Sequence, residues 1–590
     1  MTSTQIIFVL LASICLLVHA RDEASFQLLG TEFGSTPNGW VDASRKITDG
    51  GFKDISSGKA VPIDANGYPM SDCSVVIWDQ RPAFAWAPPE DDPKSFAADI
   101  GGIYNFVAKG KFDLTVSQGS PKISNLKFDS TTWTTTAQIT VPHNTYAPPP
   151  GLDHLLVLEF KNTQRNASAP MNSGFSSLKI IQPGYDVNTD QVITDWVMSA
   201  LAPFDHLRFM GATGTNYQTG YYGDKGHHIF GWEDRCMPSD AYFPYSSLRP
   251  GCHGMPWEDV VGVANTAKKD IWINIPVTAS GGCTSDDMSL WKDTDSYLNA
   301  IDKTSYLYKL ALFLKNGNEF TNNKGLDSIR NIYIEHSNEV WNFGFSQYIW
   351  NKLAAEDEVK RIPNNPLASG CTDATKCAEI WARRRHAKCV VQIGQYFADV
   401  FGDSSLISKI RPVYAEWTIF PQHYNDTLAW VQQTYGPVNK VIWGMAQTHY
   451  FGDPDPKTPP NKSVQEIVKA YAQGSIGDSK DTIANVAIAK SYGITLNSYE
   501  AGPGMKVGDT YNIGNVIAAN RDPGMTAVIV DDITKNYWDL GGAIYNYFSL
   551  SGSYSRYGCW GATNDLHHNL TTAKFKALCQ VAGTGKCPWM

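Results

Sequence analysis

The apolar and polar positions change character twice along the chain. From Ile6 to Val18 there is no alternation, only a run dominated by Ile, Leu, Val and Phe, closing in Val18-His19-Ala20 ahead of Arg21-Asp22-Glu23. A bilayer-spanning helix needs about 18 apolar residues or more, so the run is too short for one. Its small-x-small end predicts a secretory signal peptide over residues 1–20. Between about Val41 and Gln182 the period is two, as in Phe112-Asp-Leu-Thr-Val116, Thr134-Thr-Thr-Ala-Gln-Ile-Thr-Val141 and Leu155-Leu-Val-Leu-Glu-Phe160. Pro148-Pro149-Pro150-Gly151 marks a turn. Short alternating strands with frequent turn signals predict a β-sandwich-like unit over 41–183.

After about Gly184 the texture becomes strand and helix in turn. Strands are predicted at Phe204–Met210, Asp270–Val277, Asn331–Glu335, Ile410–Glu416, Lys440–Met445, Gly493–Tyr499 and Leu540–Tyr545. Helical spacing separates them at Asp190–Leu201, Tyr297–Leu314, Cys377–Phe401, Ser463–Ala472, Ile483–Lys490 and Ile513–Ala519. Such alternation predicts a parallel sheet. An eight-stranded barrel needs one strand more, and Ser25–Phe33, stopping at Gly34, has the pattern. The expected fold is therefore α/β, a (β/α)8 barrel whose first strand lies in 21–40. The β-rich unit 41–183 is inserted, the barrel resumes over 184–575, and 576–590 is a disulfide-tethered tail. The alternative is a separate N-terminal β domain ahead of an incomplete barrel.

Composition narrows the setting. The net charge is −9 with no basic tract, which argues against a nucleic-acid partner. Eleven cysteines become ten once Cys15 leaves with the leader. An even count in a secreted chain predicts disulfides, with Cys371–Cys377 and Cys579–Cys587 as local pairs; the alternative is buried thiols. No C-x-x-C pair or histidine cluster calls for zinc, and no cofactor is implied. Sequons at Asn166, Asn425, Asn461 and Asn569 predict N-glycans on a secreted, extracellular protein without a membrane span. The 18 Trp and 28 Tyr offer flat faces for sugars, or for a packed core.

In a barrel of this kind the chemistry sits at the C-terminal strand ends. Strand four runs into Glu335-His-Ser-Asn-Glu-Val-Trp-Asn342, and strand seven into Tyr499-Glu500-Ala-Gly-Pro. A lone glutamate is ordinarily a solvated surface charge. Two at opposed strand ends can converge, one as a neutral acid and one as an attacking carboxylate, about 5–5.5 Å apart in a retaining glycosidase. Strand alternation turns Glu335 inward if Ile332 and Ile334 face outward, either to pair with Arg208 or to tune Glu339. Glu416 at the end of strand five is the reserve candidate, and Glu233 and Asp234 are read as loop-shaping. Trp232, Trp257, Trp341 and Trp417 are sugar platforms or packing residues.

Ser337-Asn338-Glu339 resembles the Asn-Glu signature of clan A glycoside hydrolases, retaining enzymes on (β/α)8 barrels. The resemblance implies Glu339 as acid/base and Glu500 as nucleophile. It implies Arg208 as the strand-two arginine holding the nucleophile, and His449 and Tyr450 as cleft residues after strand six. Asn338 would bond a sugar hydroxyl, and Trp341 would contact substrate. A secreted subgroup of clan A-like proteins is similar over most of the chain. Its matching stretches are Trp40-Val-Asp-Ala-Ser-Arg45, Asp64-Ala-Asn-Gly-Tyr-Pro69, Phe204–Asn216, Gly254–Val261 and Tyr333-Ile-Glu-His-Ser-Asn-Glu-Val-Trp-Asn342. One departure stands out: strand eight ends in Tyr545-Asn-Tyr-Phe548, where many clan members place a Trp under the sugar, leaving Tyr547 or Trp560 to substitute. The expected activity is hydrolysis of a β-linked polysaccharide or oligosaccharide. The rival is a catalytically inactive structural or carbohydrate-binding glycoprotein on the same fold, with the β-rich unit as a possible binding module.

Overall fold

The computed structural model describes residues 27–34, 39–47, 51–79, 99–143, 155–220, 227–243, 248–249, 251–283, 301–457, 459, 461–504, 512–556, 558–567, 570–583 and 585–587. The expected signal peptide, the Pro148–Gly151 turn, the sequon residue Asn569 and the first residues of the helix expected from Tyr297 lie outside them.

Fifteen strands are described: β1 (Leu28–Glu32), β2 (Cys73–Asp79), β3 (Gly102–Lys109), β4 (Lys111–Gln118), β5 (Lys122–Asp129), β6 (Thr134–Val141), β7 (Leu155–Gln164), β8 (Ser176–Ile181), β9 (His206–Arg208), β10 (Asp270–Ile275), β11 (Ile332–His336), β12 (Ile410–Ala415), β13 (Gly444–Phe451), β14 (Thr495–Pro503) and β15 (Gly542–Tyr547). Strands β1 and β9 to β15 close into a parallel barrel, with β1 pairing both β15 and β9. Helices α1 (Asp195–Ala200), α2 (Trp257–Ala267), α3 (Tyr306–Asn316), α4 (Ser346–Arg361), α5 (Ala374–Phe401), α6 (Pro421–Tyr435), α7 (Val464–Ser491), α8 (Ile513–Arg521), α9 (Met525–Ile533) and α10 (Ala573–Ala582) accompany the barrel strands. The architecture is a (β/α)8 barrel. The seven strands between β1 and β9 form two antiparallel sheets, β2-β7-β4 and β5-β6-β3-β8. Their alternating apolar residues, among them Tyr104, Phe106, Phe112, Leu158 and Phe160, share one core.

Alternation sorts the barrel's side chains. On β11, Ile332 and Ile334 pack outward with Leu307, Leu310 and Leu314 of α3. Tyr333 faces inward with Trp272, Trp443, Tyr499 and Ile544, and Glu335 follows it with period two. At the level of Gly30, His206 and Asn546 fill the interior. A Cβ on Gly30 would lie 2.0 Å from His206 Nε2 and 2.4 Å from Asn546 Oδ1, so only glycine fits there.

Differences from expectation include a strand and a pair of helices. The strand expected at Lys440–Met445 begins instead at Gly444 and extends to Phe451, after a 3-10 turn at Val438–Lys440. Its second half is polar because Gln447 bonds Asn485 and Thr482 of α7, which hides the strand in a hydrophobic pattern. The two helices expected within 463–490 are one, α7, started by a Ser463/Glu466 capping box. Gly474 sits inside it because a Cβ there would lie 1.9 Å from the Gly452 carbonyl oxygen, where the helix presses on the end of β13.

Disulfides join Cys236–Cys252, Cys283–Cys389, Cys371–Cys377 and Cys579–Cys587. Both expected local pairs form. Cys73 and Cys559 correct the expectation that all ten pair: both are buried and neither is disulfide-bonded, and burial pushes the Cys73 thiol up, further from its reactive form. No helix among the described residues is long and apolar enough to cross a membrane.

Candidate active site

Arg208 organises the C-terminal end of the barrel. It is fully buried, and its guanidinium donates to Glu32 Oε2 (3.1 Å), Glu500 Oε1 (2.9 Å), Glu335 Oε2 (3.1 Å) and Asn338 Oδ1 (2.7 Å). Burial disfavours its charge, but Glu335, Glu32 and Glu500 together push its pKa up. Three carboxylates around one cation leave an excess of negative charge, which a low-dielectric site resolves by holding protons. Burial accordingly raises Glu335, against the pull of Arg208. Burial also raises Glu32 to about 7, against Arg208 and the Gly211 N–H that donates to it at 2.5 Å. Trp272 Nε1 (3.0 Å) and Asn274 Nδ2 (2.8 Å) donate to Glu335 as well. Glu335 therefore both pairs with Arg208 and is fixed in place from two further directions.

Past β11 the chain turns through Ser337 and Glu339, both left-handed at φ 57° and 45°, a conformation that is uncommon for these residue types and clusters at functional sites. Between them Asn338 points to Arg208 and donates to Asn216 Oδ1 at 3.1 Å. Gln347 ties the turn down by donating to Asn216 Oδ1 (2.9 Å) and the Asn338 carbonyl (2.8 Å). Glu339 is half-buried. Burial, then the charge of Glu500, raise its pKa to about 7, offset by donors from Asn342 Nδ2 (2.8 Å to Oε2) and Tyr499 OH (3.3 Å to Oε1).

Glu500 is buried, and its Oε2 accepts from Tyr450 OH at 2.8 Å. Tyr450 comes from β13 and Arg208 from β9, so three strands meet at this carboxylate. Trp341 Nε1 donates to Tyr499 OH at 3.2 Å. The geometry thus brings Glu339, Glu500, Asn338, Arg208, Tyr450 and Trp341 to one place.

His449 does not join them. It precedes Tyr450 on β13 and alternation turns it outward, to Thr482 Oγ1 (Nδ1, 3.2 Å) and Asp532 Oδ1 (Nε2, 3.4 Å), packed on Tyr537 and Tyr545. Glu416 is also on the outer side. Its neighbour on the same face is Tyr414, whose OH donates to it at 3.1 Å, whereas Val413 and Ala415 face the interior. Trp257 is buried and donates to Tyr306, and Trp232 packs on Tyr306 and Phe313, so neither lines the site. Asp234 accepts from the Gly231 N–H and Glu233 pairs with Lys309, as loop-shaping residues do. Tyr547 is buried in the layer outside the barrel. Phe548 instead stands edge-on to Tyr450 (6.2 Å) and to Trp560 (6.0 Å).

Sequence reasoning missed Glu32, Asn216, Asn342, Gln347 and Tyr499. Glu32 carried a usable signal: it closes an apolar strand two residues after the inward Gly30, so period two aims it at Arg208. Asn216 and Asn342 lie in short turns, Gln347 sits in the first turn of α4, and Tyr499 lies where the pairing of β14 with β13 shifts register, so simple periodicity reports the direction of none of them.

No family model matches the chain, and no curated protein matches it. Among solved structures it is similar to a family 51 arabinofuranosidase from Xanthomonas axonopodis pv. citri, with 11% identity, TM-score 0.35, and 62% of each chain covered. It is also similar to the family 51 α-L-arabinofuranosidase AbfB from Bifidobacterium longum (10% identity, TM-score 0.38, 68% of each chain). A third is the endo-β-1,4-mannanase from Thermotoga petrophila (13% identity, TM-score 0.31, 66% of this chain and 71% of that one). The chain spans just under two thirds of the Xanthomonas enzyme's length.

Proposed function

We propose that this protein is a secreted glycoside hydrolase that cleaves a β-linked polysaccharide or oligosaccharide with retention. The observation that carries this is the unequal setting of two neighbouring carboxyl groups. Glu339 holds its proton to about pH 7 through burial and the charge of Glu500. Glu500 accepts from Arg208 and Tyr450 on its two oxygens, the donor pattern that suits a carboxylate. Two carboxyl groups whose surroundings separate their roles are the requirement for this chemistry.

In the first step a Glu500 oxygen bonds to the anomeric carbon. The bond to the leaving oxygen breaks, and that oxygen takes the Glu339 proton. The product is a glycosyl ester on Glu500. In the second, water attacks the same carbon while the Glu339 carboxylate takes the water's proton, and Glu500 leaves as a carboxylate. In this scheme Asn338, held by Arg208 and Asn216, bonds a sugar hydroxyl next to the cleaved bond through its second amide hydrogen. Secretion is supported by the four disulfides, and two sequon residues, Asn166 and Asn461, are exposed. Asn425 is half-buried and its Oδ1 accepts from Tyr492 OH at 3.2 Å.

The test is purified protein on a panel of β-linked polysaccharides and aryl glycosides, beside Glu339→Gln and Glu500→Gln. Hydrolysis lost in both variants, with the product's anomeric configuration retained by NMR, is expected. Sugar binding without turnover across the panel would establish the non-catalytic rival.

A further inference from the structure

Beside Glu339 the surface carries an aromatic row that the chemistry above does not use. Trp341, two residues past Glu339, packs against the interior cluster at one edge and stacks on Trp417 at the other, with centroids 5.1 Å apart and planes 20° apart. Trp417 then meets Phe420 edge-on at 5.1 Å and Phe343 at 6.2 Å. Phe420 in turn stacks on His423 at 4.8 Å. Trp341 and Phe343 come from the turn after β11, and Trp417 and Phe420 from the turn after β12, adjacent strands of the barrel. Phe343 is 70% exposed, Ile419 52% and Phe420 38%. Packing accounts for the Trp341–Trp417 stack, which joins the two turns. It does not account for large rings left in water further out, and clustered exposed apolar surface marks a binding site.

We infer that Trp341, Trp417, Phe420 and Phe343 form a row of subsites for successive pyranose units on the leaving-group side of the scissile bond, so that the substrate is a chain cut internally. This rests on the hydrolase reading. Three observations select a sugar chain as the occupant. The row is continuous with Glu339 through Trp341, whose indole N–H bonds Tyr499, itself a donor to Glu339. Its outer rings, Phe343 and Phe420, leave flat surface in water, which suits the C–H faces of pyranoses. It also starts beside Glu339, the group that protonates the leaving oxygen, and runs outward from it through Trp417 to Phe420 and Phe343. With the anomeric carbon at Glu500 and the leaving oxygen at Glu339, the units beyond the protonated oxygen are the ones that extend over the row.

The experiment is titration calorimetry on Glu339→Gln with β-1,4- and β-1,3-linked gluco-, xylo- and manno-oligosaccharides of two to six units. It is repeated with Trp417→Ala, Phe420→Ala or Phe343→Ala added, and folding is checked by thermal unfolding. For one sugar series the affinity is expected to rise at least about tenfold with chain length, and each added substitution should remove most of that rise. Because Phe343 is largely solvent-exposed, its substitution keeps the test valid if Trp417→Ala unfolds. A chain-length gain that survives all three substitutions overturns the row, and so does affinity that ignores chain length in every series. A concentration-dependent dimer abolished by Phe343→Ala also overturns it, since the row would then be a contact between two copies. Wild-type hydrolysis is read separately: row-dependent binding without turnover keeps the subsites and removes the hydrolase, and turnover without row-dependent binding does the reverse.

Discussion

Tyr499 and Glu500 are consecutive on β14, yet both serve the barrel interior. Tyr499 donates to Glu339 and Glu500 accepts from Arg208. A regular strand would send them to opposite faces. Pairing with β13 shows how this is avoided: Gln447 faces Ser498, but Thr448 faces Glu500, so Tyr499 is an extra residue that resets the alternation. Bulges of this kind re-aim side chains beside active sites.

Tyr499→Phe follows from that placement. The Tyr499 hydroxyl lowers the Glu339 pKa by favouring its charged form. Removing it raises that pKa, so the alkaline limb of kcat/KM should move to higher pH. Turnover should fall about tenfold, the scale of one lost hydrogen bond of ~1.4 kcal/mol. A limb that stays in place or moves to lower pH would show that Tyr499 does not set the proton on Glu339.

Arg208→Met leaves Glu32, Glu335 and Glu500 buried without their cation. Breaking a buried ion pair on one side costs about 3–5 kcal/mol, so the variant should unfold at markedly lower temperature, more so at pH 8 than at pH 5. Adding Glu32→Gln removes one of the stranded charges and should restore part of the loss. Calorimetric unfolding at the two pH values reads both effects. Wild-type stability in the single variant would mean that the network is not held by Arg208.

Glu416 provides a stability test away from the site. Burial raises its pKa to about 7, above the value near 4.5 expected unfolded. The folded state therefore holds an extra proton between these values, and the stability this contributes is complete below the lower pKa and lost as pH rises through 7. Glu416→Gln cannot ionise, so its unfolding temperature should decline less from pH 5 to pH 8 than that of the wild type. The limit for a shift of this size is on the order of 3 kcal/mol. Parallel pH profiles for the two proteins would falsify the assignment.

What was legible in the sequence were features that repeat. The apolar parity of Ile332 and Ile334 placed Glu335 in the barrel beside Arg208, and the short pattern at Ser25–Phe33 contained the strand β1 that closes the barrel. What escaped was set by single contacts between distant segments. Helix α4 went unread because its buried stripe is polar: Gln347 faces the Asn338 turn, and Asn351 and Glu358 face α5, where Arg385 bonds Asn351 and Lys388 pairs with Glu358. His449 and Tyr450 looked equally suited to the cleft, and only the phase of β13 divides them. Glu416 ends an apolar strand as Glu335 nearly does, but one residue out of phase with the inward Ala415, which sends it to the outer face.

The division of labour between Glu339 and Glu500 predicts how each variant depends on the leaving group. A poor leaving alkoxide needs the Glu339 proton, whereas an activated aryl oxide departs without it. Glu339→Ala should therefore lose several powers of ten on an oligosaccharide but far less on a dinitrophenyl glycoside, and should build up the glycosyl ester, because no base remains to activate water. That ester adds one sugar's mass, read by intact mass spectrometry on a trypsin-free sample. Glu500→Ala removes the nucleophile itself, so it should lose both substrates alike and form no ester. Its loss should also disturb Glu339, whose pKa is raised by the charge of Glu500. With that charge gone, Glu339 should give up its proton at lower pH, a change that NMR titration of the Glu500→Ala protein can follow without any turnover. Equal leaving-group dependence in the two variants, or an ester in Glu500→Ala, would reverse the roles assigned to the two residues.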